Sequence, residues 1–245
     1  MRQRGWVTAA NIRFQKGNRG VAVPMSGAVS ITALFRGLVD LLAPRGCVAC
    51  DLPLDDHETI FCGGCAPLVE EAPAGHRPPA SAAAAYVHAG PLADAVRRYK
   101  YGPRPELAGP LGALLAAAAR PLAGRVDVVV PMPLHPHRLR ARGFDQAALL
   151  AHPVARILAV PCRTGALVRV RETPPQAGLD ARGRADNVRG AFRVRRPALL
   201  RGLRVLLIDD VRTTGATLAA ASEALCEAHV AEVRTLTLAF AERDA

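Results

Sequence analysis

Arg204 to Leu218 reads RVLLIDDVRTTGATL, and the order of these side chains decides the fold. Val205 to Ile208 is a short, unbroken apolar run, as expected of a parallel strand buried on both faces. It leads directly into Asp209 and Asp210, and open α/β sheets bind their ligands beyond the carboxyl ends of their strands. Thr213, Thr214, Gly215, Ala216 and Thr217 follow, then a helical pattern to Ala228. Backbone N–H groups and hydroxyls therefore converge at a helix N-terminus, which is a cradle for an anion. Gly215 admits a positive φ or a close backbone approach there. Two acids beside an anion site make chemical sense when the ligand carries a sugar diol as well as a phosphate, because adjacent hydroxyls donate to paired carboxylates. The plainer alternative is a strand-to-helix turn in which Asp and Thr only cap the helix.

Outward from this stretch, strand-like and helix-like runs alternate from Ala84 onward. Strands are expected at Ala85 to His88, Val126 to Val130, Leu167 to Val170, Ala191 to Val194, Val205 to Ile208 and Val233 to Leu238. Helices are expected through Val96 and Tyr99, from Glu106 to Ala119, from Gly143 to Leu158 with a break at Pro153, and from Ala216 to Ala228. Thr173 to Asn187 is polar and turn-rich, and reads as a mobile loop. Such alternation predicts an α/β fold with a parallel sheet. Upstream, residues 1–24 carry no apolar period and read as a disordered extension, with Met25 an alternative start. Ile31 to Leu42 has helical spacing, and 72–83 has the Pro/Ala/Gly composition of a linker. The expected division is a 25–71 module, the linker, and a main domain over 84–245.

Between them, Cys47-x2-Cys50 and Cys62-x2-Cys65 are two pairs separated by eleven residues. That spacing brings four thiolates to one tetrahedral zinc. Zinc held by four thiolates has no open position, so its role is structural. Gly46, Gly63 and Gly64 are expected to supply positive φ or close approach in the knuckles. His57 reads as a loop residue, and Cys162 and Cys226 as buried thiols.

The net charge is +11, which favours polyanions. Of 32 basic residues, however, only Lys16 and Lys100 are lysine, and the Ala, Arg, Gly and Pro excess is what a GC-rich coding sequence produces by itself. Both explanations of the charge stay open. The longest apolar run, Leu111 to Ala119, is far below the roughly 20 residues of a membrane span. The N-terminal apolar stretch is interrupted by Pro24, Ser26, Gly27 and Ser30 and has no cleavage site, so a cytoplasmic protein is expected.

The loop D-D-x-x-T-T-G-x-T after a buried strand resembles the type I phosphoribosyltransferases, and more closely the ComF family of competence-associated proteins. DVVVPMPLHPHRLRARGFDQ, Asp127 to Gln146, is similar to that family's second signature. Gln176, Leu179, Arg182, Asn187, Ala191 and Phe192 match a third. The resemblance implies a type I phosphoribosyltransferase fold, a parallel-sheet core with helices on both faces, and a small N-terminal zinc module built on four cysteines. It implies binding of phosphoribosyl pyrophosphate (PRPP) with Mg²⁺. Asp209 and Asp210 would hold the ribose diol, directly or through the metal, and Thr213 to Thr217 the 5′-phosphate. Pro131, Met132, Pro133 and Leu134 would form the pyrophosphate loop, beside Arg138, Arg140, Arg142 and Gln146. Gln176 and Arg182 would lie on a flap over the site. Asp145 stands where the family carries Asn; it pairs with a neighbouring arginine or weakens pyrophosphate binding.

Three functional readings follow from the resemblance. One is phosphoribosyl transfer from PRPP to an acceptor for which the chain shows no signature and no general base. The second is a DNA-uptake accessory protein whose zinc module contacts single-stranded DNA or a helicase partner, with Tyr86, Tyr99 and Tyr101 near Lys100 as the few aromatics suited to stacking. The third is a regulatory protein that kept the fold without catalysis.

Overall fold

Val205 to Ile208 forms the centre of a four-stranded parallel sheet. The structure is a computed structural model that describes residues 46–102, 104–171 and 187–241. The expectations for residues 1–24, Met25, the 31–42 helix and the 173–186 loop with Gln176, Leu179 and Arg182 lie outside these residues.

The main elements are β1 (Ala82–Val87), α1 (Gly90–Tyr101), α2 (Ala108–Ala119), β2 (Val128–Pro131), α3 (Pro136–Arg142) and α4 (Gln146–Leu158). They are followed by β3 (Leu167–Arg169), β4 (Phe192–Val194), β5 (Arg204–Arg212), α5 (Ala216–Glu227) and β6 (Glu232–Phe240). The sheet order is β1-β6-β5-β2, with every pairing parallel. Its register aligns Val129 with Leu206 and Asp209 with Thr237.

The two faces of β5 explain the helices on both sides. Leu206 and Ile208 join Leu236 and Leu238 in one core with Leu92, Leu111, Leu115 and Leu150. Val205 and Leu207 join Val128 and Val130 on the other face, under Leu218 and Leu225 of α5 and Leu167 and Phe192 of the β3–β4 pair. Each such fully buried aliphatic side chain contributes about 1.5–3 kcal/mol.

Four expectations are corrected. Helix α4 does not break at Pro153 but runs through it. A mid-helix proline forfeits one hydrogen bond and crowds the preceding turn, but α4 buries one whole face, including Leu150, Ala151, Val154 and Leu158. The proline ring lies against Gly112 of α2, where an added Cβ would stand 2.8 Å from Pro153 Cγ. The strand at 167–169 does not join the parallel sheet. It pairs antiparallel with β4, Val168 opposite Arg193, because both short strands have a buried face to supply to the α5 side of the core. Cys226 is exposed rather than buried, on the outer side of α5. Gly46, Gly63 and Gly64 have ordinary φ, and the left-handed residue of the first knuckle is Asp51, at φ 63°. Gly46 does meet the close-approach expectation, since a Cβ would lie 3.3 Å from the Asp51 carbonyl oxygen.

The cysteine module shares the main core: Cys47, Val48, Ile60, Phe61 and Cys62 belong to the same apolar cluster as Leu92, Val96 and Tyr99 of α1. Residues 72–83 lie against the sheet. The Ala72 N–H donates to the Ala85 carbonyl at 3.0 Å, and the His76 ring stacks on Phe240 at 4.8 Å between centroids. Among the described residues, no helix is long and apolar enough to cross a membrane.

Candidate functional site

Strand β5 is longer than the apolar run alone suggested, and it carries both carboxylates to its end. The Asp210 N–H donates to Asp209 Oδ1 at 2.8 Å, and the Val211 N–H to Asp210 Oδ1 at 2.6 Å, so each carboxylate is steadied by the next peptide. Asp210 is buried and paired with Lys100, whose Nζ lies 2.8 Å from Oδ1. Burial works against the Lys100 charge, but the attraction of Asp210 and Asp209 outweighs it and raises the ammonium above its usual value. Burial, with the Asp210 charge adding to it, pushes Asp209 up to about 7, while Lys100 pulls the other way.

After β5 the chain turns into α5 through Gly215, whose φ of +80° is the left-handed conformation the loop needs. Thr214 Oγ1 accepts from the Ala216 N–H at 3.4 Å. Thr213 and Thr217 line the cleft above the carboxylates, while Thr214, Gly215 and Ala216 form the turn between them.

The facing wall comes from the end of β2 and the next two helices. The Met132 N–H donates to the Ile208 carbonyl at 2.8 Å, which ties the expected pyrophosphate loop to β5. Met132, Pro133 and Leu134 line the cleft; Pro131 is the last residue of β2 and is buried in the sheet. Arg138 and Arg142 line it as well, and Arg140 is exposed and outside it. Arg142 spans two partners, with Nη1 2.7 Å from Gln146 Oε1 and the guanidinium 5.6 Å from the Tyr101 ring centroid. Gln146 is only 2% exposed, and its Nε2 has no hydrogen-bond partner among the described residues. A buried donor left in that state costs about 1–3 kcal/mol. Among the described residues Asp145 has no arginine partner. It caps α4, accepting from the Ala148 N–H at 3.0 Å, and burial raises its carboxyl above the usual range.

These residues enclose an open cleft of about 250 Å³. Its polar lining also contains three residues that sequence reasoning did not assign to the site: Lys100, Tyr101 and Arg169. Lys100 had one legible signal, as one of two lysines in a chain that otherwise uses arginine. Arg169 sits on β3, whose separate pairing no local pattern revealed.

A second arrangement lies at the cysteine module. The four Sγ atoms of Cys47, Cys50, Cys62 and Cys65 are all within 4.8 Å of one another, with Cys50 to Cys62 at 3.6 Å and Cys65 to Cys50 at 3.7 Å. A tetrahedral zinc with ~2.3 Å Zn–S bonds sets its sulfurs about 3.8 Å apart, so the donor set fits that ion. Burial disfavours the Cys47 thiolate, but backbone hydrogen bonds from Cys62, Cys50 and Ala49 overcome it and lower the thiol to about 7.

The cleft and sheet are those of a phosphoribosyltransferase domain, and a family model described as Phosphoribosyl transferase domain matches residues 145–245. The DNA utilization protein YhgH of Escherichia coli is 33% identical over 197 residues, 78% of this chain and 82% of that protein. Competence protein F of Haemophilus influenzae is 34% identical over 161 residues, 62% of this chain and 69% of that protein. The chain belongs to the family of these proteins, the ComF family. Among solved structures, a glutamine PRPP amidotransferase from B. subtilis matches 58% of this chain and 30% of its own, with 22% identity and a TM-score of 0.41.

Proposed function

We propose that the cleft binds PRPP and that the protein is a ComF-type phosphoribosyltransferase-domain protein acting in DNA utilisation. The observation that carries the ligand reading is the carboxylate pair at the end of β5, which shares one cleft with Thr213, Thr217 and three arginines, Arg138, Arg142 and Arg169. Asp209 and Asp210 accept the ribose hydroxyls. The Thr213–Thr217 turn and the α5 N-terminus receive the 5′-phosphate. Arg138, Arg142 and Gln146 face the pyrophosphate, and Gln176 and Arg182, from the family's third signature, bind the same ligand. The two carboxylates are oxygen donors suited to Mg²⁺, which when bound supplies charge neutralisation at the pyrophosphate. Transfer to an acceptor is the catalytic form of this reading. Calorimetry with PRPP and Mg²⁺ tests it: wild type binds, Asp209→Ala/Asp210→Ala does not, and a wild-type protein that fails to bind ends the reading. Pyrophosphate release against a panel of bases and amines tests transfer.

The relatives' names point to DNA utilisation and competence, and within that setting we infer a second reading, a non-catalytic accessory role in which the zinc module contacts single-stranded DNA or a helicase partner. Leu52 and Leu68, 59% and 61% exposed, give that module an apolar surface. Gel shifts of single-stranded DNA across a salt series, with Cys47→Ser as comparison, test it; absent or salt-insensitive binding counts against it. Four cysteines kept as thiols support a cytoplasmic location.

A further inference from the structure

Lys100 reaches the cleft from α1, an element that contributes neither to the carboxylate strand nor to the expected pyrophosphate loop. Its ammonium carries three donors. One is used by Asp210 at 2.8 Å. Lys100 has no other hydrogen-bond or ion-pair partner among the described residues, which leaves the remaining donors for a ligand. The side chain is 22% exposed and held in place. Tyr99, the preceding residue, is fully buried, donates to the Gln146 carbonyl at 3.0 Å and packs on Phe144 at 5.4 Å. Tyr101, the following one, lies beneath Arg142. The C-terminal turn of α1 is therefore fastened to the 142–146 stretch, beside Arg142 of the cleft.

Resting on the PRPP reading above, we propose that Lys100 is the residue that recognises the pyrophosphate group of the ligand, bridging a phosphate oxygen to Asp210. The placement accounts for the charge order across the cleft. Asp210 is neutralised by Lys100, whose neighbour Tyr101 lies against Arg142, so the anionic arm of the ligand meets cations while the diol meets carboxylates. A compact ammonium fits here where a guanidinium does not, since it must serve Asp210 and a tetrahedral phosphate from one atom.

The test is calorimetry of wild type, Lys100→Met and Lys100→Arg with three probes in the presence of Mg²⁺: PRPP, inorganic pyrophosphate and ribose 5-phosphate. Losing a charged hydrogen bond weakens binding by about tenfold or more. Lys100→Met is expected to show that loss for PRPP and pyrophosphate while ribose 5-phosphate stays within about twofold. Lys100→Arg, which keeps the charge but not the compact shape, is expected to recover only part of the loss. Equal weakening of all three probes, or of none, overturns the proposal and leaves PRPP binding by the wild type intact. Wild type binding neither PRPP nor ribose 5-phosphate removes the underlying reading and the proposal with it.

Discussion

Lowering the pH from 8 to 6 should weaken PRPP binding by a factor that Asp209 sets. Asp209 lies at the end of β5, where burial and the Asp210 charge push its carboxyl up to about 7 against the pull of Lys100, with Asp145 adding a small further push. A ribose hydroxyl is held by the carboxylate form, so the protonated protein must first release a proton. For a group titrating at 7, that requirement is negligible at pH 8 and costs about tenfold in affinity at pH 6, or about 1.4 kcal/mol. The sign in the free protein is the reverse of the usual acidic case. A folded carboxyl raised above its unfolded value contributes stability that is present below the unfolded value of 3.8 and lost as the pH rises through about 7. The assay is calorimetry from pH 6 to 8 in two buffers of different ionisation enthalpy, so that proton release is counted directly. Asp209→Asn keeps an acceptor and removes the titration, while the ligand's own phosphate titration is common to both proteins. The steeper pH dependence should belong to the wild type alone, and identical slopes refute the assignment.

Gly112→Ala places a Cβ 2.8 Å from the rigid Pro153 ring; overpacking of about 1–3 kcal/mol against a helix-propensity gain of about 1 leaves a net loss and a melting temperature lower by a few degrees. An unchanged or higher melting temperature would show that α2 and α4 can slide apart. Hydrogen bonds from Arg204 hold Asp127 down to about 2 at the other end of β5. Its contribution is present above 3.8 and lost as the pH falls through about 2, so Asp127→Asn should flatten the acid limb of stability and leave PRPP affinity unchanged. Metal analysis should find about one zinc per chain. Because the cysteine module shares the core with α1, chelation should lower the melting temperature of the whole described fold rather than loosen one loop.

Much of this site was legible because its chemistry is written consecutively. Asp209 through Thr217 lie on one strand, turn and helix, so adjacency in sequence is adjacency in space, and the cysteine pairs carry their geometry in their spacing. Lys100 was not legible as part of the site, because nothing local relates the end of α1 to Asp210, 110 residues downstream. Arg169 escaped for the same reason, since β3 and β4 find each other only in the folded core. Helix α3 was missed because PHRLRAR has no apolar period. It needs only Pro136 at its start and Gly143, at φ 82°, at its end. The continuity of α4 through Pro153 depends on a notch at Gly112 that belongs to another helix.

Helix α1 has a consequence for dissecting the molecule. Arg98 Nη1 donates to the Ala49 carbonyl at 2.7 Å, and Arg98 also pairs with Asp51, so one side of the helix grips the first cysteine knuckle. Two residues on, at roughly 200° around the axis, Lys100 enters the cleft. A chain trimmed to begin at the expected domain start, Ala84, would strip the cover from Leu92, Val96 and Tyr99 and remove Ala82 and Ala83 of β1 together with the Ala72 bond to Ala85. The cysteine knuckles are thus no detachable accessory: the smallest piece that can be expected to keep the cleft's shape begins before Cys47.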